Sequence, residues 1–256
     1  MIMIKVLTVF LTHQAPDSVR AMLNYWRDLD ANQSFLIVNG GPHDLTESID
    51  CATVVVNDPA LRTLDHGREK QSYQGVFQAA APYVAASGAD FVSFVEYDEV
   101  PLQPDMNARM IAAIEQEKAD VLGFRLYRVD GTSHHQYLDH CRDPEFSTYW
   151  RGMSSREEKT AVLSMLGCGS FWRSEAFLTV AGLVSSPRIY LEMFMPTAAH
   201  HLGYRVRPFP VDQESSMEPE VVKMMSELQA WKARGAWRVH PVKEMWLGAQ
   251  TQDFQS

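Results

Sequence analysis

The 256-residue chain has few of the features that assign a protein quickly. It contains only three cysteines, Cys51, Cys141 and Cys168. An odd number, scattered so widely, argues against a disulfide framework and for a reducing, cytoplasmic compartment. No segment approaches the ~20 apolar residues of a membrane span. The apolar start, Ile2 to Leu11, is interrupted by Lys5 and is followed by no small-residue cleavage site, so it reads as a buried first strand rather than a signal peptide. Runs of Lys or Arg are also missing and the formal net charge is −9, which excludes nucleic acid as an expected partner. An anionic ligand would therefore have to be met by local cations or by a metal.

Other absences narrow the chemistry. No G-x-S-x-G elbow exists, and Gly167-Cys168-Gly169-Ser170 has no evident His partner in sequence, so Ser or Cys nucleophiles are disfavoured. His134, His135, His140 and Cys141 cluster without any familiar zinc-ligand spacing. No repeat, low-complexity tract or Pro/Gly/Ser-rich linker divides the chain, and residues 1–256 are expected to form one domain.

What is present is 46% apolar and 21% charged, enough for a sizeable core. Short apolar runs (Val6 to Leu11, Phe35 to Val38, Thr53 to Val56, Phe91 to Val95) alternate with helical stretches (Ser18 to Leu29, Glu69 to Ala86). That rhythm predicts βαβ units and a Rossmann-type, mostly parallel sheet flanked by helices. Asp17 or Ser18 is a plausible cap for the first helix, with Pro16 just before it. A helix from about Met106 to Lys118 would place Met110, Ile111 and Ile114 on one face, and Val121 to Tyr127 reads as a further strand. Arg128 to Arg156 lacks clear periodicity and is expected to be an irregular surface excursion. Apolar and small residues then return from Leu163 to Trp172. Helices follow at Ser174 to Val180, at about Glu192 to Leu202 with Gly203 as its stop, and at Glu218 to Arg234. In the last of these, the stripe Met217, Val221, Met224, Met225, Leu228 and Trp231 has no basic border and reads as core rather than as a membrane face.

The strand Phe91-Val92-Ser93-Phe94-Val95 ends in Glu96-Tyr97-Asp98-Glu99, after which Pro101 and Pro104 prevent it from continuing. Period-2 alternation would put Glu96 and Asp98 on one side and Tyr97 on the other. Paired carboxylates at the carboxyl end of a central strand suit a hard divalent ion that bridges protein to phosphate. A solvated turn would look the same in sequence.

The segment Phe91 to Phe124, with its strand, acidic triplet, Pro-containing turn and helix, resembles the D-x-D region of A-type (GT-A) nucleotide-sugar glycosyltransferases. Glu96 stands where Asp is usual, so Asp98 is the stronger carry-over. Ser164 to Arg207 is similar to the acceptor-side segment of that family's inverting family 2 members: a small-residue strand at Gly167 to Ser170, Arg173, a helix, an acid and Gly203-Tyr204.

The resemblance implies a nucleotide-sugar-binding half at about 1–127 and an acceptor half at about 128–256. It implies Glu192 as catalytic base, although Leu191 and Met193 replace the neighbouring acid and a helix-capping role would place Glu192 equally well. A base of this kind must reach an acceptor hydroxyl, and a helix start favours its ionised form. Metal ligands would be Asp98, Glu96, directly or through water, and, from late in the chain, His240, holding Mn²⁺ or Mg²⁺; an isolated His such as His240 also fits a structural role. Donor contacts would come from Thr12, His13, Asn39 with Gly40-Gly41, Asp58 and Tyr97. Arg68 and Lys70, ahead of a helix, would meet the diphosphate; Gly40-Gly41 also fits an ordinary turn, and the two cations a solvated first turn.

The expected activity is metal-assisted, inverting, hexosyltransferase-like transfer from a nucleoside diphosphate sugar to a carbohydrate or lipid-linked acceptor hydroxyl, with a homodimer left open. Two other readings stand beside it. One is a catalytically silent nucleotide-sugar or glycan binding protein of the same fold. The other is a sugar-phosphate nucleotidyltransferase, disfavoured because Thr12-His13-Gln14-Ala15-Pro16 lacks the glycines of a phosphate loop.

Overall fold

The computed structural model describes residues 5–56, 73–130, 142, 144–167, 169–183, 191–217 and 225–242. In chain order the elements are β1 (Val6–Thr12), α1 (Pro16–Leu29), β2 (Gln33–Asn39), β3 (Ala52–Val55), α2 (Tyr73–Ser87), β4 (Phe91–Glu96), β5 (Val100–Pro101), α3 (Met106–Gln116), β6 (Val121–Gly123) and β7 (Tyr127–Arg128). They continue as α4 (Pro144–Met153), β8 (Leu163–Ser164), β9 (Ser170–Arg173), α5 (Ser174–Ala181), α6 (Leu191–His201), β10 (Val206–Pro208), α7 (Val211–Glu214), α8 (Met225–Ala233) and β11 (Arg238–Val239).

Seven strands form one sheet in the order β10-β6-β9-β4-β1-β2-β3. β1 runs parallel to β2 and β4, β2 to β3, and β6 to β10, while β9 is antiparallel to both β4 and β6. This is the α/β, mostly parallel architecture that the alternating sequence rhythm predicts. β1 shows why it forms. All seven of its residues are buried. Val6 and Phe10 face a layer with Trp26 of α1 and Met110 of α3, whereas Leu7, Val9 and Leu11 face Phe77 of α2, Phe177 of α5 and Phe194 of α6. A strand covered on both faces needs the continuous apolar run found here.

Several local expectations change. α1 begins at Pro16 with Ala15 as N-cap and no side-chain cap; proline at the first helical position lacks only an N–H that has no partner there. Asp17 instead pairs with Arg20 at 2.8 Å. α3 ends at Gln116 rather than Lys118. The strand expected over 121–127 breaks after Gly123, where Arg125 takes φ 50°, and Tyr127–Arg128 leaves to pair with Leu163–Ser164. The supposed surface excursion contains α4, whose Phe146 and Trp150 are core residues. Of the helix expected over 218–234, Met225–Ala233 is described, with Leu228 buried; His134, His135, His140, Cys141 and Cys168 lie outside the described residues. No described helix is long and apolar enough to cross a membrane.

Candidate metal and donor site

The carboxyl ends of β1, β2 and β4 lie side by side, because the registers pair Thr12 with Asn39 and Leu11 with Glu96. Glu96 is the last residue of β4, and the chain turns through Tyr97 and Asp98, closed by the Glu99 N–H donating to the Glu96 carbonyl at 3.1 Å. The expected pleat alternation therefore stops at Glu96. The turn still delivers Glu96 and Asp98 to one place.

The third member arrives from the far end of the chain. β11 pairs antiparallel with β5, Arg238 opposite Pro101 and Val239 opposite Val100. The N–H of Leu102 donates to the Trp237 carbonyl and that of Val242 to the Asp98 carbonyl, both at 2.8 Å. This ladder sets His240 against the acidic turn, its Nε2 3.4 Å from Asp98 Oδ1. Glu96, Asp98 and His240 each offer a ligand atom, and these atoms lie within 4.8 Å of one another.

The three groups shift one another's titration. Burial first, and then the Asp98 charge, push the Glu96 carboxyl up to about 8, with Glu192 and Glu99 adding to the shift and His240 opposing it. Burial disfavours the His240 imidazolium, but the hydrogen bond to Asp98 and the fields of Asp98, Glu96 and Glu99 outweigh it, and its pKa rises. Two carboxylates and an imidazole at such spacing are a donor set that fits Mn²⁺ or Mg²⁺, since a divalent ion would take over the charge a proton now neutralises.

Around the trio stand other residues singled out in the sequence. The His13 and Tyr97 rings meet edge to face with centroids 4.4 Å apart. Thr12 Oγ1 accepts from the Gln14 N–H at 3.1 Å. Asn39 ties its own loop, donating from Nδ2 to the His43 carbonyl at 2.6 Å and accepting from the Gly41 N–H at 2.9 Å. Gly41 approaches the end of β1 so closely that a Cβ there would lie 2.7 Å from the His13 backbone, so the loop after β2 needs glycine to reach this position. Asp58, Arg68 and Lys70 lie outside the described residues.

Glu192 lies in the first turn of α6, near enough to raise the pKa of Glu96. Its carbonyl accepts from the Met165 N–H at 2.9 Å. Gly167 leaves room beside it, since a Cβ there would sit 3.6 Å from Glu192 Cγ and 3.3 Å from Leu191 Cδ2. Gly167, expected to open a small-residue strand, lies instead in a bend ahead of β9, which begins at Ser170, and it is this bend that neighbours the acid.

Arg238 and Tyr127 had escaped sequence reasoning, and Glu99 had been named in the acidic strand end without a role of its own. Glu99 and Arg238 form a fully buried ion pair. The Arg238 guanidinium lies 5.9 Å from each of the Phe124 and Phe209 rings, which stack on one another at 4.1 Å. Tyr127 borders Glu192; its phenol pKa is raised by burial and by the Glu192 charge, against a hydrogen bond with Ser164. The one available signal for Arg238 was its place between Trp237 and Val239 in an apolar stretch, two residues before His240.

No known family profile matches the chain, and neither does any curated protein. Among solved structures it is similar in fold to the bifunctional IspDF of Campylobacter jejuni, at TM-score 0.45 and 9% identity over 82% of this chain and 50% of that one. Similar too are TarS of S. aureus, at 0.42 and 13% over 80% and 58%, and the mannosyltransferase PcManGT of Pyrobaculum calidifontis in complex with GDP-Man and Mn²⁺, at 0.43 and 14% over 80% and 55%. The chain spans between 50% and 58% of these three structures.

Proposed function

We propose that the chain is a nucleotide-sugar-dependent enzyme of the GT-A type, which transfers a sugar from a nucleoside diphosphate donor to an acceptor hydroxyl with inversion. The observation that carries this reading is the convergence of Glu96, Asp98 and His240 within 4.8 Å at the carboxyl end of a central parallel strand, the end at which open α/β sheets bind ligands. Asp98, Glu96 and His240 would hold Mn²⁺ or Mg²⁺, and the ion would supply neutralisation of the departing diphosphate. His13 and Tyr97 form an aromatic edge for the nucleoside at the ends of β1 and β4, beside Thr12 and Asn39. Asp58, Arg68 and Lys70 remain assigned to the donor by resemblance alone.

Glu192 takes the acceptor proton in this reading. Its helix-start position favours the charged form, and Gly167 keeps the space beside it open. Residues 1–127 then serve mainly the donor and 128–256 mainly the acceptor, within one domain.

The test is Mn²⁺-dependent binding and donor hydrolysis across UDP, GDP, CDP and dTDP sugars, for the native protein and for Asp98→Ala. One nucleotide should bind in the presence of metal, and Asp98→Ala should abolish that binding. Binding without turnover over all acceptors would leave a nucleotide-sugar binding protein. If no nucleotide binds, the acidic turn is structural and the proposal fails.

A further inference from the structure

A cavity of about 180 Å³ opens beside α4, and no residue of the acidic turn lines it. At roughly 30 Å³ per water it holds about six waters' volume, below the ~300 Å³ at which drug-sized pockets begin. Its contents must be small, on the scale of one sugar ring and a charged substituent.

The lining is unusual for a chain of net charge −9. Phe146 and Trp150 form a buried aromatic wall, while Arg151 and Lys159 bring two cations and Ser147 and Thr160 two hydroxyls. Neighbouring cations have partners: Arg128 is bound by Glu158, and Arg156 donates to the carbonyls of His200, Gly203 and Tyr204. Among the described residues, Arg151 and Lys159 face no carboxylate within ion-pair distance.

Trp150 forms part of that wall. It is 2% exposed, stacked on His201 at 5.6 Å, and its Nε1–H has no acceptor among the described residues. That atom is itself buried, as is the equally unpartnered Trp26 Nε1, so the indole serves here as a wall and a reporter rather than as a donor to the ligand.

We propose that this cavity is a subsite for a phosphorylated sugar, with the phosphate between Arg151 and Lys159 and the ring against the Phe146–Trp150 wall. Two cations from two separate segments match the charge of a phosphate monoester better than the single charge of a carboxylate. An aromatic face suits the apolar side of a sugar ring. The cavity sits near His201, at the opposite end of α6 from Glu192, about 14 Å away at 1.5 Å per residue. It would therefore lie beyond the sugar that Glu192 deprotonates, as a distal acceptor subsite. The acceptor assignment rests on the transferase reading; the anion binding does not.

The test follows the indole ¹⁵N–¹H resonance of Trp150, identified by its loss in Trp150→Phe, during titration of the full chain with glucose 6-phosphate, glucuronate, inorganic phosphate and glucose at constant ionic strength. Glucose 6-phosphate should shift the resonance saturably and glucose should not. Arg151→Gln/Lys159→Gln, at exposed positions, should weaken the response at least tenfold and keep the native Mn²⁺ affinity. Saturation by inorganic phosphate alone supports the anion site, whereas a stronger response to glucuronate overturns the choice of phosphate. No saturable response to any anion, or an undiminished one in the double variant, sinks the proposal. Should that variant fail to fold, the native protein still decides, because binding must weaken as NaCl is added. Loss of the Mn²⁺ response in the native protein would defeat the transferase reading and leave the anion site standing.

Discussion

Asp98 and Glu99 are adjacent carboxylates in one turn, both almost fully buried, and the protein treats them in opposite ways. Glu99 is matched by its own cation: Arg238 reaches it from β11, packed beside Phe124 and Phe209. Asp98 is left with Glu96 and His240, a set whose net charge depends on a proton at His240 and another at Glu96. One side of the turn is closed by a permanent guanidinium, and the charge of the other depends on protons. β11 serves both, because the strand that carries Arg238 also carries the chain to His240.

If this division is right, the two sides break differently. Arg238→Met leaves Glu99 buried without its partner, and such a loss costs about 3–5 kcal/mol; urea unfolding should show it. Glu99→Leu/Arg238→Met should recover most of that, since exchanging a whole buried pair for apolar side chains is often neutral. Asp98→Ala should act differently. It removes a like charge from beside Glu96 but also the partner of His240, two effects of opposite sign, so apo stability should change far less than in Arg238→Met. Mn²⁺ affinity, read by electron paramagnetic resonance, should fall at least about a hundredfold, because even outer contacts of a metal site are worth ~10–100-fold. Equal losses of stability in Arg238→Met and Asp98→Ala would erase the distinction.

The same contrast explains what the sequence made legible. Parallel strands buried on both faces announce themselves as unbroken apolar runs, so β1, β2 and β4 and the acid at the end of β4 stand out. Glu96 and Asp98 could be picked out because they sit where the apolar run of β4 stops, whereas Glu192 was reached only through the resemblance. Glu99 could not be separated from Asp98, since the difference lies in a partner 139 positions away. The β5–β11 ladder was equally hidden: two residues per strand carry no periodicity. α4 was missed because its apolar positions, Phe146 and Trp150, are few among polar neighbours. Their burial against α6 is a tertiary fact.

The smallest effect is also the sharpest test of the open side of the turn. Glu96 is pushed from the ordinary 4.5 up to about 8 in the folded chain, so between those values the folded protein holds a proton that the unfolded chain has released. Its contribution to apo stability is therefore complete below about 4.5 and is lost as pH rises through about 8. Metal reverses this dependence, because the ion requires the carboxylate and displaces the proton. Apo protein should thus melt lower at pH 8 than at pH 6, while the rise in Tm on adding Mn²⁺ should be larger at pH 8. At ~100 times Kd the ion adds about 2.7 kcal/mol, or roughly 5–10 °C for a chain of this size. Glu96→Gln should flatten the difference between the two pH values without abolishing the metal response, since Asp98 and His240 remain. A difference that persists in Glu96→Gln would move the titrating proton to another group, and the open side of the turn would then depend on Asp98 and His240 alone.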